Sequence, residues 1–279
     1  MKRWLAVGLL ALGASSRADT VAYLVPAGLA GNTTASGTLG LDFDVGPAPL
    51  VISEVGVFDD LGDGLRLPVT VRFYDRDGRY PLTALLFQPG EGVLDAGSRF
   101  KRLPCPLELP AGFRGTVTAE GYGPSERSIN TTLGAPALPL STADAGALLT
   151  FVSSRFGEQN AFPTRTLTPV QAQPYAAATF TFARRCSAEV VCEDPARPVC
   201  SDGLCGETPT FFPACPVDRP ACDRTHAACV ACVPGRMACP APEAPWCDLQ
   251  GQCVAACAPE SSCRAPGPGA APSRYQVTD

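Results

Sequence analysis

Cysteine is the residue type whose chemistry is clearest in this sequence. The chain has 14 cysteines in 279 residues, and all of them except Cys105 lie between Cys186 and Cys263. Dense cysteines in a short polar segment are typical of disulfide frameworks formed in oxidising compartments. The distribution predicts a disulfide-rich region at 186–263 and leaves Cys105 isolated in the first part of the chain.

The cysteines of this region repeat with a period of about 24 residues, which defines four positions in each unit. First positions are Cys192, Cys215, Cys239 and Cys263, and second positions are Cys200, Cys222 and Cys247. Third positions are Cys205, Cys229 and Cys253, and fourth positions are Cys186, Cys232 and Cys257. The unit that begins at Cys192 therefore lacks a fourth cysteine.

Local pairing predicts a disulfide between the second and third positions and another between each fourth position and the next first position. The pairs are Cys200–Cys205, Cys222–Cys229, Cys247–Cys253, Cys186–Cys192, Cys232–Cys239 and Cys257–Cys263. The missing fourth cysteine leaves Cys215 unpaired, which predicts a Cys105–Cys215 bridge to the first part of the chain. A rival scheme pairs first with third and second with fourth positions, and spacing alone does not decide between the two.

Metal and redox chemistry have one candidate motif among these cysteines. His226 precedes Cys229-x-x-Cys232 at a spacing that zinc ligands use, and the two cysteines alone resemble a redox pair. A zinc ribbon needs two such knuckles, and a thioredoxin-like site needs a surrounding βαβ unit. Neither accompanies the motif, so the sequence favours disulfides.

The sequence offers few candidate catalytic residues. His226 is the sole histidine and lies in the cysteine-rich region, which excludes a Ser–His or Cys–His dyad and a histidine-held metal from the first part of the chain. Paired carboxylates, as in glycosidases, are the chemistry that remains. We predict no catalytic residues, and a carboxylate-dependent glycoside hydrolase stays as an alternative.

One acidic cluster suggests a cation site. Asp59, Asp60 and Asp63 lie within a glycine-bearing segment, and Asp75 and Asp77 lie in another. Carboxylate oxygens on such turns are ligands that Ca²⁺ prefers, although the same residues are common turn formers. We state a calcium site at Asp59, Asp60 and Asp63 as a hypothesis and predict no other cofactor.

Residues 19–185 are predicted to form β-strands, because they show period-two alternation rather than helical periodicity. Leu39 and Leu41 face one way, for example, while Gly40 and Asp42 face the other. The best candidate strands are 21–25, 38–45, 51–58, 69–74, 82–87, 116–120, 148–153 and 177–182. This pattern predicts an all-β chain, with an antiparallel β-sandwich or jelly-roll-like domain at 19–185 followed by small disulfide-rich repeats.

The two ends of the chain carry targeting information. Residues 1–18 combine a charged start, a short apolar run and a small-x-small cleavage site, which predicts a Sec-type signal peptide. The apolar run is shorter than the ~20 residues of a spanning helix, so we expect no membrane span in the mature chain. Residues 264–279 are rich in alanine, proline and glycine and are predicted to be a disordered tail.

The amino-acid composition indicates the type of source genome and argues against one class of partner. Arginine outnumbers lysine by 20 to 2, a bias typical of GC-rich bacterial genomes. The net charge is −5, and basic residues are scattered rather than clustered, which argues against a nucleic-acid partner.

Two parts of the chain resemble known classes of protein through short sequence motifs. The segments 41–45 (LDFDV), 55–59 (VGVFD), 71–75 (VRFYD) and 112–116 (GFRGT) resemble an uncharacterised β-sandwich module of exported bacterial proteins. The repeats, with Pro-x-Cys followed by Gly-x-Cys-Val, resemble the cysteine-rich repeats of myxobacterial-type surface proteins. Both resemblances imply fold and location rather than an activity.

We therefore predict a non-enzymatic secreted or cell-surface protein that functions in binding or adhesion. The sandwich would be a recognition head for an extracellular glycan or a surface protein, with Tyr80 and Tyr122 as exposed stacking platforms for sugars. The repeats would form a protease-resistant stalk. A structural envelope or matrix protein without a small ligand is the second hypothesis.

Overall fold

A computed structural model describes residues 20–255, apart from 131–140, 143–146, 168–174, 189, 193–194, 196, 202, 207–214, 234–238, 240–243, 245 and 249–250. The predicted signal peptide 1–18, the predicted tail 264–279 and the predicted Cys257–Cys263 pair lie outside these residues. Within the described ranges, no helix has the length and apolar character needed to cross a membrane.

Two antiparallel sheets form the sandwich that the alternation predicts. The five-stranded sheet has the order β1-β13-β4-β8-β7, with β1 (Thr20–Val21), β4 (Leu50–Phe58), β7 (Val93–Asp95), β8 (Ser98–Leu109) and β13 (Ala178–Arg184). The six-stranded sheet has the order β12-β11-β3-β9-β5-β6, with β3 (Thr38–Val45), β5 (Val69–Asp75), β6 (Tyr80–Phe87), β9 (Arg114–Glu120), β11 (Leu149–Gly157) and β12 (Arg165–Leu167). A small ribbon pairs β2 (Tyr23–Leu24) with β10 (Ser141–Thr142).

The core lies between the two sheets and is built around phenylalanine. Phe43 and Phe73 of the six-stranded sheet contact Phe180 of the five-stranded sheet at centroid distances of 5.4 and 5.3 Å. Each fully buried ring contributes about 1.5–3 kcal/mol relative to an exposed one. Gly115 stands opposite Phe43, and a Cβ there would lie 2.3 Å from Phe43 Cζ, so glycine leaves the room that this ring needs.

The longest strand, β8, is one that the sequence did not reveal. Its charged residues and two prolines are unfavourable signals for a central strand. The ladder tolerates them through a bulge, since four residues of β8 lie between Arg102 and Leu107 where β4 has only Ser53 between their partners. Cys105 lies in this bulge.

Beyond the sandwich, the repeats fold as short antiparallel hairpins. Within the described residues these are β14 (Val199–Ser201) with β15 (Leu204–Gly206), β16 (Ala221–Asp223) with β17 (Ala228–Val230), and β18 (Trp246–Cys247) with β19 (Cys253–Val254). Each hairpin places a second-position cysteine directly opposite a third-position cysteine, as in the pair Cys222 and Cys229.

The first two hairpins lie against the five-stranded sheet. Leu204 packs with Val51 of β4 in a small buried cluster. The Glu108 amide of β8 donates to the Arg224 carbonyl at 2.8 Å, and the Arg224 guanidinium donates to the Glu108 carboxylate at 2.6 Å. The cysteine-rich region therefore begins in contact with the sandwich.

Candidate functional site

The described cysteines form six disulfides, and their connectivity differs from the local prediction. The bonds are Cys105–Cys222, Cys186–Cys200, Cys192–Cys205, Cys215–Cys229, Cys232–Cys247 and Cys239–Cys253. The predicted pairs Cys200–Cys205, Cys222–Cys229, Cys247–Cys253, Cys186–Cys192, Cys232–Cys239 and Cys105–Cys215 are wrong. The rival scheme is right that first positions pair with third positions. Its second half needs correction, because the second positions Cys200 and Cys247 pair with the fourth position of the preceding unit, and Cys222 pairs with Cys105.

The two cysteines of each hairpin are neighbours across the ladder, yet each bonds to a cysteine outside the hairpin. Opposite residues of an antiparallel pair point to the same face. Cys222 and Cys229, for example, bond to Cys105 and Cys215. Each pair of bonds attaches the hairpin to other segments of the chain rather than joining the hairpin to itself.

Three modules of four cysteines follow from this rule. Module 1 is Cys186, Cys192, Cys200 and Cys205; module 2 is Cys105, Cys215, Cys222 and Cys229; module 3 is Cys232, Cys239, Cys247 and Cys253. Cys105 takes the place of the fourth-position cysteine that the repeat lacks. The prediction that Cys105 ties the sandwich to the repeats is confirmed, with Cys222 as its partner.

The acidic cluster predicted to bind calcium is an ion-pair network. Asp59 is fully buried, and its Oδ2 accepts a hydrogen bond from Arg99 Nε at 2.6 Å. Asp60 Oδ1 accepts from the Gly31 amide at 2.7 Å, and Oδ2 accepts from Arg127 Nε at 2.9 Å. A calcium ion at these two carboxylates would have to replace guanidinium and amide donors.

The protonation of Asp60 reflects the same donors. Burial alone would raise the pKa of Asp60, but the Arg127 guanidinium and the Gly31 amide outweigh it, so this pKa is lowered. Asp63, the third predicted ligand, is about half exposed and pairs with Arg66. Its side chain thus lies outside the buried network.

Glu126 completes the network and was not predicted from the sequence. It is fully buried, and its carboxylate accepts the Asp60 amide at 3.0 Å and the Arg66 amide at 2.8 Å. Burial, together with the nearby charges of Asp59 and Asp60, raises the pKa of Glu126. Because Glu126 lies 66 residues from Asp60 along the chain, no local signal indicates the contact.

This network holds a strained loop in place. Leu61 has φ of 73°, in the left-handed region that costs a residue with a Cβ about 1–2 kcal/mol. Its amide donates to the Leu29 carbonyl at 3.1 Å, and the Gly64 amide donates to the buried Asp59 carboxylate. The side chain of Leu61 is nevertheless 45% exposed, so the network fixes an apolar side chain in solvent.

One further exposed aliphatic residue lies beside this loop. Leu94 of edge strand β7 is 41% exposed. A Cβ on Gly62 would lie 3.5 Å from Leu94 Cδ2, which places Leu94 against the loop that carries Leu61. We call Leu61 and Leu94 the Leu61 surface; Val93 is also exposed, but as the neighbouring residue of the strand it points to the opposite face.

A second set of buried acids lies on the outer face of the six-stranded sheet. Asp42 accepts hydrogen bonds from Thr116, Ser153 and Arg155 at 2.5–2.8 Å. Glu120, four residues beyond Thr116 on β9, pairs with Arg72. Four residues of strand correspond to about 13 Å, whereas glycosidase carboxylates lie about 5–9.5 Å apart. This pair therefore gives a hydrolase no support.

Of the two tyrosines predicted to be exposed stacking platforms, one is exposed and the other is buried. Tyr80 is 49% exposed, and its hydroxyl donates to Asp75 at 3.0 Å. The prediction of an exposed Tyr122 is wrong, because this residue is 2% exposed and its hydroxyl donates to the Ala177 carbonyl at 2.8 Å. Tyr122 is part of the sandwich core instead.

The motif around His226 does not form a zinc knuckle. Cys229 and Cys232 belong to separate disulfides in modules 2 and 3. His226 Nδ1 lies 2.7 Å from Asp223 Oδ2 at the tip of the second hairpin. The single histidine therefore interacts with a carboxylate of its own turn.

Comparison with known proteins adds no functional assignment. The chain matches no protein-family model, and no curated protein is significantly similar to it.

Proposed function

We propose that this chain is a secreted or cell-surface adhesion protein whose sandwich binds an extracellular protein through the Leu61 surface. The observation that carries the proposal is Leu61 itself, an exposed apolar side chain held at a left-handed φ by buried carboxylates. Local strain of this kind persists only where surrounding structure enforces it, and it clusters at functional sites.

Rigidity is what such a surface needs for binding. The Asp60 and Arg66 amides donate to Glu126, and the Gly64 amide donates to Asp59, so buried acids hold both ends of the loop. A loop whose backbone is already held in one conformation loses less conformational entropy when a partner covers it. Leu61 is therefore suited to act as an apolar anchor.

The composition of the surface favours a protein partner over a glycan. Leu61 and Leu94 are aliphatic, and these residues are 45% and 41% exposed. Aliphatic side chains have no group that can form a hydrogen bond with a sugar hydroxyl, whereas exposed apolar patches mark protein–protein interaction sites. The exposed ring of Tyr80 is the candidate platform for a sugar, so glycan binding is one of the outcomes that the test distinguishes.

The disulfide modules suit a protein that functions outside the cytoplasm. A bond from Cys105 to Cys222 crosses 117 residues and joins the sandwich covalently to the repeats. Twelve cysteines in six disulfides are the chemistry of an oxidising compartment outside the cytoplasm. Tension applied to the repeats would reach β8 through this bond.

The test measures retention of coated particles under flow. Beads carrying residues 19–279 are passed over surfaces of bacterial envelope protein, of polysaccharide, and of blank polymer. We expect retention on protein, strong loss of it with Leu61→Asp, and no change with the control Val217→Asp, whose side chain is 98% exposed elsewhere.

Each other outcome has a definite meaning. Retention on polysaccharide alone contradicts a protein partner and supports the glycan alternative. Retention on no surface contradicts adhesion and supports a structural envelope protein. Retention that is insensitive to Leu61→Asp removes the Leu61 surface from the proposal.

A further inference from the structure

Two of the three disulfide modules bring their sulfur atoms close together. In each of them, three sulfurs all lie within 4.8 Å of one another. The residues are Cys186, Cys192 and Cys205 in module 1 and Cys232, Cys239 and Cys253 in module 3. The same fourth, first and third positions of the repeat are used both times, so the arrangement recurs with the repeat.

Each group of three has a fourth sulfur beside it. Cys200 is bonded to Cys186 in module 1, and Cys247 is bonded to Cys232 in module 3. Four thiolates around one zinc ion have Zn–S bonds of about 2.3 Å, which puts the sulfurs about 3.8 Å apart. In each module, the three sulfurs that lie within 4.8 Å of one another are therefore close enough to bind one ion once their disulfides open.

We propose that modules 1 and 3, once their disulfides are reduced, each bind a soft divalent cation such as Zn²⁺ through four cysteine thiolates. Two disulfides take up four electrons and four protons from a thiol or phosphine reductant and become four thiols. Binding of the cation then releases up to four protons as the thiolates form.

The cation would replace the cross-links that the modules lose. A segment as small as one module cannot bury enough apolar surface to stay folded without a cross-link. A four-thiolate site joins the hairpin to the same preceding segment that the disulfides join. The repeat would then have a second cross-linked state under reducing conditions.

Module 2 supplies a control within the same chain. All of its cysteines, Cys105, Cys215, Cys222 and Cys229, are described, and no three of their sulfurs come within 4.8 Å of one another. The geometry therefore predicts two sites per chain rather than three.

Cobalt titration tests the count. Residues 19–279, with Cys257→Ser and Cys263→Ser to remove two further thiols, are reduced by a phosphine in denaturant and diluted into buffer with Co²⁺. Tetrahedral Co²⁺–thiolate sites absorb visible light, and Zn²⁺ bleaches this absorption when it displaces Co²⁺. We expect saturation at two equivalents of Co²⁺ per chain.

Matched variants locate the sites. Cys192→Ser with Cys205→Ser should reduce the count to one, while Cys215→Ser with Cys229→Ser in module 2 should leave it at two. Circular dichroism should show that Zn²⁺ restores hairpin structure to the reduced chain. A count other than two, or a loss of binding in the module 2 variant, overturns the proposal.

Discussion

The bond between Cys105 and Cys222 should control how strongly the sandwich and the repeats stabilise each other. We consider the double variant Cys105→Ala/Cys222→Ala, which removes the cross-link without leaving a free thiol. Cys105 is 2% exposed in the β8 bulge, so alanine fits the site without burying a new polar group. The change therefore isolates the effect of the covalent bond.

The expected magnitude comes from the length of chain that the bond closes. Its two cysteines are 117 residues apart, and the loop-closure entropy of the unfolded chain is then worth about 4.9 kcal/mol at 25 °C. The other described bonds close 13–15 residues and are worth about 3 kcal/mol each. Removal of the Cys105–Cys222 bond should therefore lower the free energy of unfolding of the sandwich by several kcal/mol, up to about 4.9 kcal/mol.

Two probes separate the two regions during denaturant unfolding. Far-UV circular dichroism follows the sandwich, and the fluorescence of Trp246 follows module 3, because the other tryptophan, Trp4, precedes the predicted cleavage site. The control Cys239→Ala/Cys253→Ala opens a loop of 14 residues within module 3. We expect this control to shift the Trp246 transition and to leave the sandwich transition in place.

Two results would refute the reasoning. A sandwich transition that moves by less than about 1 kcal/mol in the Cys105→Ala/Cys222→Ala variant would show that the cross-link does not constrain the unfolded sandwich. Non-reducing peptide mapping that links Cys105 to Cys215 would remove the structural premise.

Three further substitutions test separate features. Lys101→Leu should increase self-association measured by light scattering, because Lys101 Nζ donates to the Leu86 carbonyl at 2.9 Å beside the uncharged edge strand β6, whereas Lys101→Arg should not. Leu61→Asn should raise the free energy of unfolding by up to about 1 kcal/mol, since asparagine tolerates the left-handed region, while retention of coated beads falls; lower thermal stability would contradict the assigned strain. Glu120→Gln should destabilise the chain by about 3 kcal/mol at neutral pH through loss of the charge pair with Arg72. Burial alone would raise the pKa of Glu120, but hydrogen bonds led by Arg72 lower it, so its stabilisation is lost as the pH falls through the folded-state value. The difference from wild type should therefore shrink on acidification, and a difference that is independent of pH would contradict this account.

Local periodicity was sufficient to predict most of the sandwich. The alternation over 38–45 and 69–74 predicts strands that the structure contains as β3 and β5, since burial of one face leaves a period-two pattern in the residues themselves. Strand β8 escaped prediction because Pro104 and Pro106 occur where the ladder is interrupted, and a bulge cannot be recognised without the partner strand.

The candidate site was predicted less well because its contacts are not local. Asp59 and Asp60 were recognised as a cluster, but their partners Arg99, Arg127 and Glu126 are 40–67 residues away. The same aspartates serve as calcium ligands or as ion-pair partners depending on which side chains fold over them. The sequence shows the carboxylates and cannot show the guanidinium groups beside them.

The cysteines show most clearly which properties the sequence determines and which the tertiary structure determines. Their number, their period and the gap at one fourth position are properties of the sequence, and they were enough to predict that Cys105 bonds to the repeats. Tertiary structure alone decided that its partner is Cys222, because the second hairpin packs against β8 through the Glu108 amide and the Arg224 carbonyl, which brings Cys222 to the bulge that holds Cys105. Disulfides form between side chains that face each other in space, and separation along the chain does not determine that direction.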